Sequence, residues 1–239
     1  MRHIPNLLTS LNLAAGFISI IYTTHGELVT ASWFIAAAMI FDFADGLTAR
    51  MLKAYSAIGK ELDSLADMVS FGVAPALLVY VMINNSLAPL TDDVSLFRKI
   101  IFTIILSAPV LMPVCAGLRL AVFNVDPHQT ISFRGLPTPA SAIAVISIII
   151  GSEYSGSVIL ESFIRRPSAL AVYTIVLSIL MVTRIPLISL KLTDLKLHGN
   201  EARYILACTV IISFVFLGSA AAALIIPLYL ASSLIAKLF

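Results

Sequence analysis

Apolar residues run along this chain in long, nearly unbroken blocks, parted by short polar breaks at 24–27, 50–61, 84–98, 124–135, 153–167 and 191–201. A helix needs about 20 mainly apolar residues to cross the hydrocarbon core of a bilayer. The blocks predict eight spanning helices, near 6–24, 28–49, 64–83, 99–123, 136–152, 168–190, 203–218 and 220–237. Strands are not expected, since a membrane barrel would show alternating segments of about ten residues. The last two blocks meet between Gly218 and Pro227, where a tight turn or a kink in one long helix would both fit. Pro137 and Pro139 fall at the start of a block, where a missing backbone donor costs nothing. The fold class read from this pattern is an all-α polytopic membrane protein, one domain over 1–239.

Composition strengthens the reading. Of 239 residues 59% are hydrophobic and 12% charged, and the mean hydropathy is +1.01. A soluble domain carries about 25% charged residues, so this chain cannot clothe a water-facing surface. Pro5 and Asn6 interrupt the approach to the first block, and no small-residue cleavage site precedes His25, so this segment is read as a retained helix. Placing the N-terminus in the cytoplasm puts eleven Lys and Arg inside, among them Arg50, Lys53, Lys60, Arg119, Arg134 and Arg184. Arg98, Lys99, Arg165 and Arg166 fall outside. That bias follows the positive-inside rule and predicts a multi-pass protein of the inner (cytoplasmic) membrane with its N-terminus inside. The basic face suits anionic membrane lipids, and no nucleic-acid partner is expected. Cys115 and Cys208 both lie within blocks and read as buried small residues.

Chemistry concentrates in residues 41–75, FDFADGLTARMLKAYSAIGKELDSLADMVSFGVAP. Successive helical residues turn by about 100°, so Gly46 and Ala49 lie about 40° and 20° from Asp42, and Asp45 about 60°. The following helix gathers Gly59, Asp63, Ala66, Asp67 and Ser70 on one face in the same way. The short linker predicts antiparallel neighbours whose faces meet. Each aspartate at mid-membrane costs about 2.5–3.5 kcal/mol, so four unpaired ones would cost on the order of 10 kcal/mol, and packing does not require them. Two divalent cations would offset their charge, and an all-oxygen ligand set of Asp42, Asp45, Asp63 and Asp67 favours Mg²⁺ or Mn²⁺. The four histidines are scattered without zinc spacing. Gly46, Ala49 and Gly59 present bare backbone beside the carboxylates, and Arg50 can grip a phosphate. Phosphoryl-group transfer is the chemistry this suggests. A cation or proton transporter would explain the acids but not the small residues and Arg50 at fixed intervals.

The pattern Asp42-x2-Asp45-Gly46-x2-Ala49-Arg50-x8-Gly59-x3-Asp63-x3-Asp67 resembles, at all eight fixed residues, the signature of the CDP-alcohol phosphotransferases. The resemblance implies a six-helix core, here 1–190, with 200–239 as an accessory helical hairpin. It also implies a homodimer and a metal site open to the cytoplasmic leaflet. Asp42, Asp45 and Asp63 would bind metal; Asp67 would complete the second metal site and act as general base. Gly46, Ala49, Arg50 and Gly59 would contact the CDP moiety. Further segments resemble bacterial membrane-embedded phosphatidylserine synthases: Ile4–Thr9, Asp63–Asp67 through Phe71–Pro75, Arg119–Asn124 and Phe133–Ala140. The implied substrates are CDP-diacylglycerol and L-serine, with glycerol 3-phosphate or an inositol phosphate as the alternative acceptor for the same chemistry. Asn6 and Thr9 would be nucleotide-side contacts, with capping of the first helix the competing reading. Arg119, Asn124 and Arg134 would hold the acceptor or the lipid phosphate. At Val122 the chain lacks an arginine that such enzymes commonly carry.

Overall fold

The computed structural model describes residues 3–54, 56–90, 95–125, 135–183, 185 and 201–235. Every regular element among them is helical. Helices α1 (Ile4–Thr24) and α2 (Leu28–Met51) form an extensive antiparallel pair. Then come α3 (Ala57–Asp67), a π-helical turn (Met68–Val73) and α4 (Ala74–Leu87), continuous as one helical stretch. α5 (Leu96–Ser107) and α6 (Leu111–Val125) follow, joined by a 3₁₀ turn at Ala108–Val110. The chain continues through α7 (Thr138–Ser155), α8 (Val158–Ile164) and α9 (Pro167–Val182). It ends with α10 (Glu201–Leu217), a 3₁₀ segment (Gly218–Leu224) and α11 (Ile225–Ile235).

The all-helical expectation holds, and the count of eight spans is not confirmed. Among the described residues five helical stretches are long and apolar enough to cross a bilayer, or six if α8 and α9, bent by 85°, make one span. The last two expected spans form one helical stretch, Tyr204–Ser233. Within it Gly218 takes a left-handed φ of +56°, and α10 lies against α11. Both alternatives for Gly218 to Pro227 are thus partly realised: helical continuity, with a change of direction where glycine alone is unstrained.

α4 is the central post. Leu78 and Ile83 on it are fully buried, as are Phe71 just before it and Ile35, Met112, Leu170 and Met181 around it. The outward faces stay apolar: Phe17, Trp33, Ile40 and Phe43 are all exposed. In water that would be an aggregation hazard; in lipid it is the solvated surface. Cys208 follows the same logic. It is exposed rather than buried as expected, while Cys115 is half-buried. Near the end of α9 the chain is tied to the start of α7 by Gly135 N–H donating to Ile185 O (2.9 Å) and Leu136 N–H to Leu180 O (2.9 Å). Gly135 has φ +75°, and a Cβ there would stand 2.5 Å from Thr183 O.

The acidic faces of α2 and α3 meet through their side chains, while the two backbones make little direct contact and each packs on α1. The space left between α2 and α3 is where the polar chemistry lies.

Candidate active site

The turn between α2 and α3 is built by local rules. α2 ends in a Schellman motif: Ala54 N–H donates to Ala49 O (3.0 Å) and Lys53 N–H to Arg50 O (3.3 Å). The left-handed position of that motif, usually glycine, is held by Lys53 with φ +49°. Ser56 then caps α3, its Oγ accepting from Gly59 N–H at 2.9 Å. This tight turn sets the register of one acidic face against the other.

Asp42, Asp63 and Asp67 converge. Each offers a carboxylate oxygen, and the three oxygens lie within 4.8 Å of one another. Asp63 Oδ1 is buried with no hydrogen-bond partner. Three carboxylates so close repel one another, and a stranded acceptor among them lacks a positive partner. An all-oxygen donor set of this kind fits a hard divalent cation. Asp45 is placed slightly apart. It is buried, accepts a hydrogen bond from Thr9 Oγ1 at 2.5 Å, and remains within electrostatic range of Asp42, Asp63 and Asp67. The four expected ligands are therefore a triad plus one neighbour anchored by α1.

Beside the triad opens a cavity of about 330 Å³. Its walls include all six residues expected to face a nucleotide: Asn6, Thr9, Gly46, Ala49, Arg50 and Gly59. Asp45 and Asp63 also line it, which joins it to the acidic cluster. The two glycines differ. A Cβ on Gly59 would meet Ser56 Oγ at 2.8 Å and Asn6 Oδ1 at 3.0 Å, so the protein's own packing demands glycine. A Cβ on Gly46 would meet nothing within 4 Å. Nothing inside the chain requires that position to be bare; an occupant of the cavity would. Arg50 lies along α2 with Nε donating to Gly46 O at 3.0 Å.

Sequence reasoning missed Lys60, a second cation in the cavity wall. It had been counted only toward topology, although its place one residue after Gly59 was a usable signal. Also missed was Asn12, whose Nδ2 donates to Asp67 Oδ1 at 3.3 Å. Nothing in the apolar run around it marks it out.

The expected acceptor residues stand differently. Arg119 and Asn124 are on α6, outside the cavity wall. Arg119 Nη1 donates to Met181 O at 3.4 Å. Asn124 Nδ2 donates to Ser64 Oγ at 2.7 Å, and Asn124 O accepts from Lys60 Nζ at 2.9 Å. Asn124 thereby ties the end of α6 to α3 beside Asp63. Arg134 lies outside the described residues.

A family model of CDP-alcohol phosphatidyltransferases matches residues 2–184. The chain belongs to that family. This CDP-alcohol phosphatidyltransferase is 33% identical over 201 residues to the CDP-diacylglycerol–serine O-phosphatidyltransferase of Bacillus subtilis, covering 84% of this chain and 96% of the relative. It is 33% identical over 153 residues to the protein of the same name in Helicobacter pylori, covering 63% of this chain and 59% of that one. It is also 36% identical over 154 residues to the archaetidylserine synthase of Methanothermobacter thermautotrophicus, covering 64% and 60%. The family match contains the whole acidic cluster and cavity. It stops before α10 and α11.

Proposed function

We propose that this protein transfers the phosphatidyl group of CDP-diacylglycerol to L-serine, giving phosphatidylserine and CMP. One observation carries the reading: a cavity walled by every motif residue expected to face a nucleotide shares Asp63 with the acidic triad and has Asp45 in its wall. The named activity of the Bacillus subtilis relative, aligned over most of both chains, supports serine as acceptor.

In this reading the cytidine and pyrophosphate enter between α2 and α3. Gly46 leaves room for them, while Arg50 and Lys60 supply cationic donors to the phosphates. Divalent ions of the Mg²⁺ or Mn²⁺ kind, held by Asp42, Asp45, Asp63 and Asp67, would supply positive charge against the pyrophosphate and the departing CMP. Thr9 fixes the rotation of Asp45 through its 2.5 Å bond. Asp67 accepts the proton of the serine hydroxyl. The serine oxygen bonds to the lipid-side phosphorus as the bond from that phosphorus to the CMP oxygen breaks, and CMP leaves with the electron pair. Asp67 suits the role by its place in the acidic triad. Arg119 and Arg134 remain the proposed contacts for the acceptor carboxylate or lipid phosphate. Asn124 acts through α3, by way of Ser64.

The site is proposed to face the cytoplasmic side of the inner membrane, where the positive-inside bias puts the α2–α3 turn, and two copies to pair as a homodimer. The family core is proposed as 1–190, with 200–239 as an accessory unit. The deciding experiment offers purified protein CDP-diacylglycerol with serine, glycerol 3-phosphate or inositol phosphate in turn. CMP release with serine is expected. Release only with another acceptor sinks the serine assignment, and the particle mass in detergent reads out the pairing.

A further inference from the structure

α1 presents a polar side to the site, and the proposed reaction has used only its outer end. Asn6 and Thr9 reach the cavity. Asn12 lies one turn deeper, fully buried at 0% exposure. Its Nδ2 donates to Asp67 Oδ1 at 3.3 Å. Its main-chain oxygen accepts the Ser70 hydroxyl at 3.0 Å. One turn further on, Gly16 lets the chain at Ser70 come so near that an added Cβ would stand 2.8 Å from Ser70 Cα. α1 is thus fastened at two points to the turn that carries Asp67, and that turn is where α-helix gives way to π-helix. Short π segments inside α-helices frequently mark functional sites.

Packing does not account for an asparagine here. Asn12 Oδ1 is buried with no partner in the chain, and an unpaired buried acceptor is a cost that leucine, similar in size, would avoid. Half of the amide is spent on Asp67 and the other half is left without a partner.

We infer that Asn12 is a positioning residue for Asp67, fixing the rotation of its carboxylate so that the acid meets the acceptor hydroxyl in one orientation. This rests on the reading of Asp67 as proton acceptor. The donor amide can hold the carboxylate without competing for a cation, since an N–H does not ligate metal. Ser70 and Gly16 stiffen the arrangement by holding the α1 backbone in place behind it.

The test compares the native protein with Asn12→Leu and Asn12→Ala. Turnover is read as CMP release from CDP-diacylglycerol and serine, and binding as the rise in melting temperature on adding CMP with Mn²⁺. Loss of one hydrogen bond to a charged group predicts a fall in kcat of about 10- to 100-fold. KM for CDP-diacylglycerol should change less than about twofold and the melting shift should persist, because no cavity-lining residue and no carboxylate is removed. A folded variant with kcat within about threefold of native overturns the inference. Loss of the melting shift in step with kcat overturns it too, since a general structural role would do that. If Asn12→Leu does not fold, Asn12→Ala decides on the same criteria. Native protein that releases no CMP with any acceptor instead sinks the proposed reaction, and this inference with it.

Discussion

Two regions of the molecule treat their polar side chains differently. In α7, α9 and α11 the hydroxyls of Ser147, Thr174, Ser178 and Ser233 bond to carbonyls of their own helix, at Ala144, Leu170, Thr174 and Tyr229. In α1 and the α3–π turn some polar groups also turn back, Ser10 on Asn6 O and Thr23 on Ser19 O, but three reach across. Thr9 goes to Asp45 as well as to Pro5 O of its own helix, Asn12 to Asp67 and Ser70 to Asn12 O. Tyr173 does cross from α9 to α7, but it ends on a main-chain oxygen, Ala144 O. A hydroxyl turned back on its helix merely hides its polarity from lipid. One spent on a neighbour's carboxylate fixes where that carboxylate sits, and the two kinds cannot be told apart by residue type.

The sharpest break of this comparison is at Asp67. Asp67→Asn should lower kcat by about 10²- to 10⁴-fold, the usual contribution of a positioned acid–base group. Stabilisation by CMP with Mn²⁺ should be largely kept. Normal turnover by this variant would remove Asp67 from the chemistry. Next come Asp42→Asn and Asp63→Asn, each of which takes one oxygen ligand from the triad. Both should abolish the Mn²⁺-dependent rise in melting temperature, and a chelator should do the same to the native protein. A full metal response in both variants would leave the triad without its role.

A matched pair of threonines tests the comparison directly. Thr9→Val removes a buried bond to a carboxylate and should cost about 1.5–3 kcal/mol, read as a lower melting temperature and a raised KM for CDP-diacylglycerol. Thr174→Val removes a bond within one helix and should cost less than about 1 kcal/mol, with kinetics unchanged. Equal effects at the two positions would erase the distinction drawn above. The glycines give the smallest and most specific contrast. Gly46→Ala should stabilise the fold by up to about 1 kcal/mol through helix propensity, yet raise KM because the methyl enters open ligand space. Gly59→Ala should destabilise by about 1–3 kcal/mol through overpacking against Ser56 and Asn6. A Gly46→Ala protein with native KM would mean that nothing occupies the cavity at that point.

What could be read in advance follows the same division. The grouping of the four aspartates with Gly46, Ala49, Arg50, Gly59 and Ser70 could be read in advance, because charge and bare backbone recur at fixed helical intervals. The bond from Asn12 to Asp67 could not, because a single polar residue in an apolar helix reads as one that satisfies itself. The choice at Gly218 between a turn and a kink could not be read from the sequence, because a turn signal there sits inside a helical stretch that continues beyond it. The short linker foretold that the acidic faces of α2 and α3 meet, but not that α1 would be the main packing partner of both.

The π turn at Met68–Val73 has one further effect. A π turn accommodates an extra residue, and each residue in a helix is worth about 100° of rotation. It therefore works as a clutch between two lengths of one shaft. α3 can be indexed to aim its acids at the cavity while α4 is indexed separately to bury Leu78 and Ile83. Deleting a single residue within the turn would engage the two rigidly, and no one rotation would then serve both ends.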